Sequence, residues 1–342
     1  MKFRKLGSLE VSAVGLGCMG MSHAYGAPAD RKEMQELIAM AVDWGVTLFD
    51  TAECYGFKES PSDNEILVGE ALKSYREKVV ISTKFGNYFE YDKAVDGRVP
   101  LRQDSRPETI RRSIEGSLKR LQTDHIDIYF QHRPDANVEP EMVAQVMADL
   151  IKEGKILHWG VSEAPEEYIR RAHSVTPLSA IQNRYSMMAR WHENLFPVLE
   201  ELGIGFMAFS PLANGFLSDA YKEGCRFDPK TDYRAAMPQF KDGSFDENRT
   251  LLSLIDDLAD RHHATPAQIS LSWMLNKKPW IVPIPGTRKY FRLKENIGAA
   301  CVEMTPEEVA EIDSALDNME MSEVYGGIPL QNVQKTSYIC NR

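Results

Sequence analysis

Four side chains that can hold or transfer a proton follow three predicted strands of this sequence. The apolar run in "GVTLFDTAECYG" ends at Asp50 and is followed by Tyr55, while "VVISTKF" carries Lys84 and "IDIYFQHR" leads to His132. A phenol has an ordinary pKa near 10, so it is a poor acid at neutral pH unless its anion is stabilised. A stabilised phenol beside a histidine is a set that can protonate a carbonyl oxygen.

Each of these residues has a predicted task. An ammonium group about 4 Å from the phenol contributes roughly 4 kcal/mol at an effective dielectric of about 20, so we expect Lys84 to bring the pKa of Tyr55 near neutrality. Asp50 would keep Lys84 charged, and His132 would hold the carbonyl oxygen beside the phenol. Taken singly, each residue also fits a structural role in packing, capping or an ion pair. Their convergence at adjacent strand ends favours the catalytic interpretation.

A proton donor facing a carbonyl needs a hydride source, and later strand ends offer groups that suit a nicotinamide. Ser162, Gln182 and Asn183 carry hydroxyl and amide groups that can bind a carboxamide, and Phe209 precedes Ser210 and can stack on a flat ring. The pattern predicts a nicotinamide site beside the proposed proton donor.

The segment "PIPGTRKYFRLKENIG" is a predicted phosphate site. Gly286, Thr287 and Arg288 are expected to open a helix, with Arg292 one turn on. A helix N-terminus with a hydroxyl and two guanidinium groups binds phosphate, and two arginines favour a 2′-phosphate, hence NADP(H) over NAD(H). A solvated helix face is the alternative interpretation of this spacing.

The elements that must position these residues alternate regularly. After two short strands around "KFRKLG" and "EVSAVG", eight β-like runs alternate with helix signals, such as Asp30 before "RKEMQELIAMAVDWG" and Thr265 and Pro266 in "TPAQISLSWMLNKK". The eight runs are "VGLGCM", "VTLFDTA", "VVISTKF", "IDIYFQHR", "ILHWGVSE", "LSAIQNRYS", "IGFMAFSPL" and "WIVPIPGT". This order predicts an α/β protein, a (β/α)8 TIM barrel with an N-terminal β-hairpin.

A doubly wound dinucleotide-binding sheet is the competing architecture. "GLGCMG", from Gly15 to Gly20, has the spacing G-x-G-x-x-G. Such a fingerprint must open a helix, whereas "MSHAYGAPAD" follows here, so we disfavour this interpretation.

Composition, charge and cysteine spacing argue against several other classes of protein. The chain has 342 residues, of which 43% are hydrophobic and 26% charged, so one large core is available and we predict one domain over residues 1–342. A formal net charge of -10 argues against nucleic acid and anionic membranes as partners. Five cysteines lack disulfide or zinc spacing, no metal site is expected, and no apolar run spans a membrane, so we expect a cytoplasmic protein.

Two segments exceed ordinary loop length, at roughly 86–105 and 213–245, and the tail after about residue 318 lacks periodicity. Long excursions at strand C-terminal ends are usually lids or substrate walls in a barrel, and we expect the tail to cover the mouth as well. Because these segments would form the walls of the substrate site, the sequence does not identify the physiological substrate.

The motifs described above resemble those of the aldo-keto reductases, over nearly the whole chain. The resemblance rests on "LFDTAECYG", "VVISTKFG", "IDIYFQHRPD", "WGVSE", "IQNRYS", "FSPLANGFL" and "IPGTRKYFRLKEN". The sequence looks similar to the bacterial and plant NADPH-dependent branch that includes perakine reductase-like and auxin-induced-like proteins. The resemblance implies reduction of aldehydes or ketones to alcohols by the pro-R hydride of NADPH, with a small-molecule carbonyl as partner.

The same resemblance implies a set of site residues. The catalytic tetrad would be Asp50, Tyr55, Lys84 and His132, and the cofactor residues would be Gly20, Met21, Ser162, Gln182, Phe209, Ser210, Leu212, Asn214, Gly286, Thr287, Arg288, Arg292, Glu295 and Asn296. Many family members have Asn where this chain has Glu163, which leaves the carboxamide contact there open. The alternative function is an NADPH-binding regulatory subunit of the potassium-channel β-subunit type, since the resemblance extends to those proteins. The oligomeric state is left open.

Overall fold

The computed structural model describes residues 1–94, 98–325 and 340–341. Its strands are β1 (Phe3–Leu6), β2 (Leu9–Ser12), β3 (Leu16–Gly17), β4 (Leu48–Asp50), β5 (Val80–Phe85), β6 (Asn87–Phe89), β7 (Arg98–Val99), β8 (Leu101–Gln103), β9 (Ile126–Gln131), β10 (Ile156–Ser162), β11 (Ala180–Arg184), β12 (Gly205–Phe209), β13 (Ile281–Pro283) and β14 (Cys340–Asn341). Eight of them form one parallel sheet in the order β3, β4, β5, β9, β10, β11, β12, β13.

This sheet closes on itself, because β13 lies beside β3. The Gly15 amide donates to the Pro283 carbonyl at 3.0 Å, and residues Gly17 and Gly286 form a parallel bridge. A side chain at Gly17 would place its Cβ 2.7 Å from the Ile284 carbonyl oxygen, so the closure requires glycine there. The predicted (β/α)8 barrel is therefore confirmed.

The N-terminal hairpin was also predicted correctly. Strands β1 and β2 pair antiparallel, with Leu6 opposite Leu9. Leu6 and Val11 are buried with side chains of the barrel interior, and a Cβ at Gly205 would lie 2.6 Å from the Leu6 Cα. The hairpin therefore plugs the N-terminal end of the barrel.

Helices cover the outside of the sheet. They are α1 (Arg31–Asp43), α2 (Asp63–Leu72), α3 (Pro107–Leu121), α4 (Pro140–Lys152), α5 (Glu166–Val175), α6 (Phe196–Leu202), α7 (Ser244–Glu247), α8 (Arg249–His262), α9 (Pro266–Lys277), α10 (Tyr290–Gly298) and α11 (Pro306–Asp317). The predicted N-caps of α1 and α9 are present: Asp30 accepts from the Glu33 amide, and Thr265 forms a capping box with Gln268. Residues Met19–Met21 form a 3-10 turn and not a helix, consistent with rejecting the dinucleotide fingerprint.

One helix start was predicted wrongly. The helix expected to open at Gly286–Arg288 begins at Tyr290, after the extended residue Lys289. Thr287 and Lys289 hydrogen-bond to each other at this turn, which holds the chain outside the helix. The predicted phosphate-binding residues therefore lie on the approach to α10 and in its first turn.

Alternation along the strands determines which side chains meet inside the barrel. Leu48, Val80 and Ile128 belong to the interior core, whereas Phe49 and Ile81 pack outward against the helices. Side chains two residues apart share a face of a strand. The interior face of β4 therefore ends at Asp50, and that of β5 continues to Lys84.

The long segments form walls around the C-terminal end of the barrel. Within 86–105, β6 pairs with β8 as a hairpin, and β7 pairs with β14. Part of 213–245 reaches the loop after β3, where the Gly26 amide donates to the Thr231 carbonyl. The tail that is predicted to cover the mouth consists mainly of residues 326–339, which are outside the described residues. Residues 95–97 of the first long segment are also outside them. Within the described ranges, no helix has the length and apolarity needed to cross a membrane.

Candidate active site

A buried ion pair lies at the C-terminal ends of β4 and β5. The Lys84 ammonium donates to Asp50 Oδ2 at 2.6 Å and to the Thr51 carbonyl at 2.7 Å. Asp50 Oδ1 accepts from the Ser82 hydroxyl and from Gln182 Nε2, each at 2.8 Å. Asp50 and Lys84 are only 4% and 1% exposed. The pair therefore has its hydrogen bonds supplied from β4, β5 and, across the barrel, β11, and a buried charge requires such partners.

Tyr55 lies above this pair, in the loop after β4. The Lys84 ammonium is 5.1 Å from the centroid of the Tyr55 ring. The Tyr55 carbonyl accepts from the Asn64 amide at 2.9 Å, and the buried Asn64 side chain bonds to Thr51, which follows Asp50. The start of α2 thus fixes the loop that presents the phenol. The rings of His23 and His132 each lie 5.6 Å from the Tyr55 ring, centroid to centroid.

The predicted pKa of the phenol is wrong for this structure. Burial raises the pKa of Tyr55 well above its ordinary value of 10, and the Asp50 carboxylate adds to this. The positive charge of Lys84 is already matched by Asp50, so little of it acts on the phenol. Tyr55 is therefore a neutral phenol at neutral pH, which is the form that donates a proton.

His132 follows β9 and faces Tyr55. Burial lowers its pKa well below the ordinary value, assisted by the cations Arg133 and Lys84, so the imidazole is neutral. The Cys54 sulfur lies 3.6 Å from His132 Nδ1, and burial raises the pKa of this thiol. A protonated thiol that donates to Nδ1 leaves the imidazole proton on Nε2. Sequence reasoning missed Cys54, since a lone cysteine has no spacing signal.

A cavity of about 560 Å³ runs from these residues across the C-terminal end of the barrel. Most of the predicted cofactor residues line it: Gly20, Ser162, Gln182, Phe209, Ser210, Leu212, Asn214, Gly286, Thr287, Arg288, Arg292, Glu295 and Asn296. Met21 does not, because its side chain is buried in the outer core, and Met19 lines the cavity instead. Asn183 also points away: it is buried, and its amide oxygen accepts from the Glu163 amide.

At one end of the cavity, two arginines lie near the turn before α10. Arg288 donates through Nη1 to the Ala27 carbonyl at 2.9 Å and through Nε to the Gly20 carbonyl, while its buried Nη2 has no hydrogen-bond partner among the described residues. Arg292 pairs with Asp219 at 2.7 Å. An unsatisfied buried guanidinium nitrogen is costly unless a ligand accepts from it. This end of the cavity therefore suits an anionic group.

The predicted carboxamide site is more crowded than the sequence indicated. Arg133 Nη1 donates to the Ser162 hydroxyl at 2.9 Å. Glu163 has a left-handed backbone with φ of 56°, and its carboxylate accepts from the Arg184 amide at 2.7 Å and lies 3.2 Å from His192 Nε2. Burial would raise the pKa of Glu163, but His192 and the neighbouring donors outweigh it and lower the pKa to about 2. Glu163 is therefore a charged acceptor at the cavity wall.

Known proteins show the same architecture and sequence pattern. The Aldo/keto reductase family matches residues 13–317. A protein of Glycine max named "Probable aldo-keto reductase 1" is 39% identical over 327 residues, which covers 94% of this chain and 90% of that protein.

The chain belongs to the aldo/keto reductase family.

Two solved structures of this family's fold extend the comparison. The glycerol dehydrogenase of Gluconobacter oxydans superposes with a TM-score of 0.82 at 26% identity, covering 95% of this chain and 98% of that one. An aldo-keto reductase of Bacillus halodurans, in a holo form, gives 0.74 at 26% identity, covering 96% and 99%. These relatives are reductases and a dehydrogenase, and none of them is a channel subunit. Membership of the aldo/keto reductase family supports carbonyl reductase activity.

Glu53, a further buried acid of this aldo/keto reductase, was also missed from the sequence. Glu53 Oε1 accepts from the Gly86 amide at 3.0 Å. Burial raises the pKa of Glu53 to about 7, against the effect of that hydrogen bond and with a contribution from Glu65. The folded chain therefore keeps a proton on Glu53 that the unfolded chain releases near pH 4.5.

We predict that Glu53→Gln stabilises the protein at alkaline pH. Between pH 4.5 and about 7 the folded state binds more protons at this position, so wild-type stability falls as the pH rises through that window. Glutamine keeps the acceptor for Gly86 without a charge, so the free energy of unfolding should exceed that of wild type by roughly 3 kcal/mol at pH 8 and by little at pH 4.5. Urea unfolding at both pH values measures this difference, and Glu59→Gln, an exposed site in the same loop, is the control. Equal effects at both pH values would contradict the prediction.

Proposed function

We propose that this protein is an NADPH-dependent reductase that converts aldehydes or ketones to alcohols. The observation that carries the proposal is the position of the Tyr55 phenol, above the buried Asp50–Lys84 pair and opposite a neutral His132, on the wall of the large cavity. This arrangement combines a proton donor, a hydrogen-bond donor for a carbonyl oxygen, and space for a cofactor.

Each residue of this group has a separate role in the reduction of the carbonyl. His132, with its proton on Nε2, donates to the carbonyl oxygen and orients it toward Tyr55. NADPH, when bound, supplies the hydride. Tyr55 donates its phenolic proton to the oxygen as negative charge develops there. Lys84, held by Asp50, lies beneath the phenol ring and helps to hold it in position as the phenolate forms.

The far end of the cavity supports NADP over NAD. No described residue accepts from the buried Arg288 Nη2, and Arg292 lies in the first turn of α10 near Thr287. These donors would hold the 2′-phosphate of the adenosine ribose. Phe209, Gln182 and Ser162 line the cavity and would hold the nicotinamide end. Single-domain organisation and a cytoplasmic location remain predictions.

We expect Tyr55→Phe to lose carbonyl reduction while it keeps cofactor binding. Removal of a general acid typically lowers turnover by about 10²- to 10⁴-fold, whereas phenylalanine keeps the ring that packs on His23. Consumption of NADPH with benzaldehyde measures turnover, and quenching of protein fluorescence measures NADPH affinity. Turnover within threefold of wild type would overturn the assignment of Tyr55 as proton donor.

We expect Arg288→Met to lower the preference for NADPH over NADH. Loss of a charge-assisted hydrogen bond to the 2′-phosphate should reduce the ratio of the two kcat/KM values at least tenfold. Arg288 also holds the loop of Gly20 and Ala27. Because both cofactors are compared in the same variant, a general loosening of this loop lowers both kcat/KM values and does not change their ratio. Arg226→Met is the control, because that arginine pairs with Asp242 at the exposed surface. An unchanged ratio would show that Arg288 does not recognise the phosphate.

A further inference from the structure

A buried arginine lines the cavity and has no acidic partner among the described residues. Arg184, the last residue of β11, is 6% exposed, and its guanidinium donates through Nη1 to Asn214 Oδ1 at 3.2 Å. Among the residues that the structure describes, no carboxylate forms an ion pair with it. By contrast, Arg234, which also lines this cavity, pairs with Asp232. Burial of an uncompensated cation is costly, so an anionic ligand at this position would be stabilised by Arg184.

Aromatic rings hold this guanidinium in place. It lies 5.1 Å from the centroid of the Phe209 ring and 5.4 Å from that of Tyr325. A second guanidinium, that of Arg133, lies 5.8 Å from the same Phe209 ring. Guanidinium groups packed on rings lose little freedom when they bind an oxyanion. Two cations thus flank one aromatic side chain of the cavity wall.

The acid that bonds to the Arg184 backbone does not pair with its guanidinium. Glu163 also lines the cavity, but its oxygens are directed to His192 and to the backbone amide of Arg184. The side chain of Arg184 takes part in neither of these two contacts. The guanidinium therefore keeps most of its donors for another partner.

The position of Arg184 favours the carbonyl end of the cavity. It follows Gln182 by two residues on β11, so both share a strand face, and Gln182 bonds directly to Asp50. Arg133 directly follows His132 in sequence. The arginines suited to cofactor phosphate, Arg288 and Arg292, are instead anchored near Gly20 and Asp219.

We propose that Arg184 binds an oxyanion carried by the carbonyl substrate, so that the preferred substrates are aldehydes or ketones with a carboxylate or phosphate group. This inference rests on the proposed reductase function. The carbonyl oxygen lies at Tyr55 and His132, and the anionic group lies toward Phe209 and Arg184. Arg133 adds a second positive charge near the Phe209 ring.

The test compares two aldehydes that differ in one charge, 4-carboxybenzaldehyde and its neutral methyl ester. We expect wild type to show a higher kcat/KM with NADPH for the acid. Arg184→Met should lower the acid-to-ester ratio by about tenfold to a hundredfold through KM, because a charge-assisted hydrogen bond is lost. Arg184→Lys keeps the charge and should retain part of the ratio. Arg226→Met is the matched surface control and should leave the ratio unchanged.

The possible failures are distinguishable. If wild type reduces the ester as well as the acid, or if Arg184→Met leaves the ratio unchanged, the inference is overturned while the reductase function stands. If Arg184→Met instead raises the Kd for NADPH at a constant ratio, Arg184 serves the cofactor phosphates and the inference is overturned. If neither aldehyde causes oxidation of NADPH, the proposed function fails, and this inference fails with it.

Discussion

The ion pair between Asp50 and Lys84 is the interaction on which the rest of the site depends. Both groups are almost fully buried, and each is stable there only because the other is present. Ser82 on β5 and Gln182 on β11 complete the hydrogen bonding of Asp50. The pair therefore ties the strands together at their C-terminal ends and places a cation directly beneath the Tyr55 ring.

This position follows from elementary strand geometry. Alternation fills the barrel interior with Leu48, Val80 and Ile128, and the same inward faces continue to Asp50, Lys84 and the region of His132 as the strands end. Polar side chains are tolerated at this last layer, because loops and the cavity replace the apolar interior there. The chemistry of the site is therefore concentrated at one end of a core that the hairpin seals at the other.

Much of this arrangement could be predicted from the sequence, because it depends on strand order and on residue types at strand ends. Contacts made by loop side chains could not be predicted. Cys54 lies beside His132, and Tyr325 lies beside Arg184, only when several loops are folded together. The pKa of Tyr55 was predicted in the wrong direction, since burial outweighs a cation that Asp50 already neutralises. Met21 was misplaced because the 3-10 turn at Met19–Met21 directs it into the core.

A double-mutant cycle on the buried pair tests this account most directly. The free energy of unfolding would be measured by urea denaturation for Asp50→Asn, Lys84→Met and the double variant. Each single change leaves an uncompensated buried group and should cost about 3 kcal/mol or more, whereas the double variant should cost at least about 2 kcal/mol less than the sum of the two. Additive costs would show that the two residues do not act as a unit, and would contradict the account.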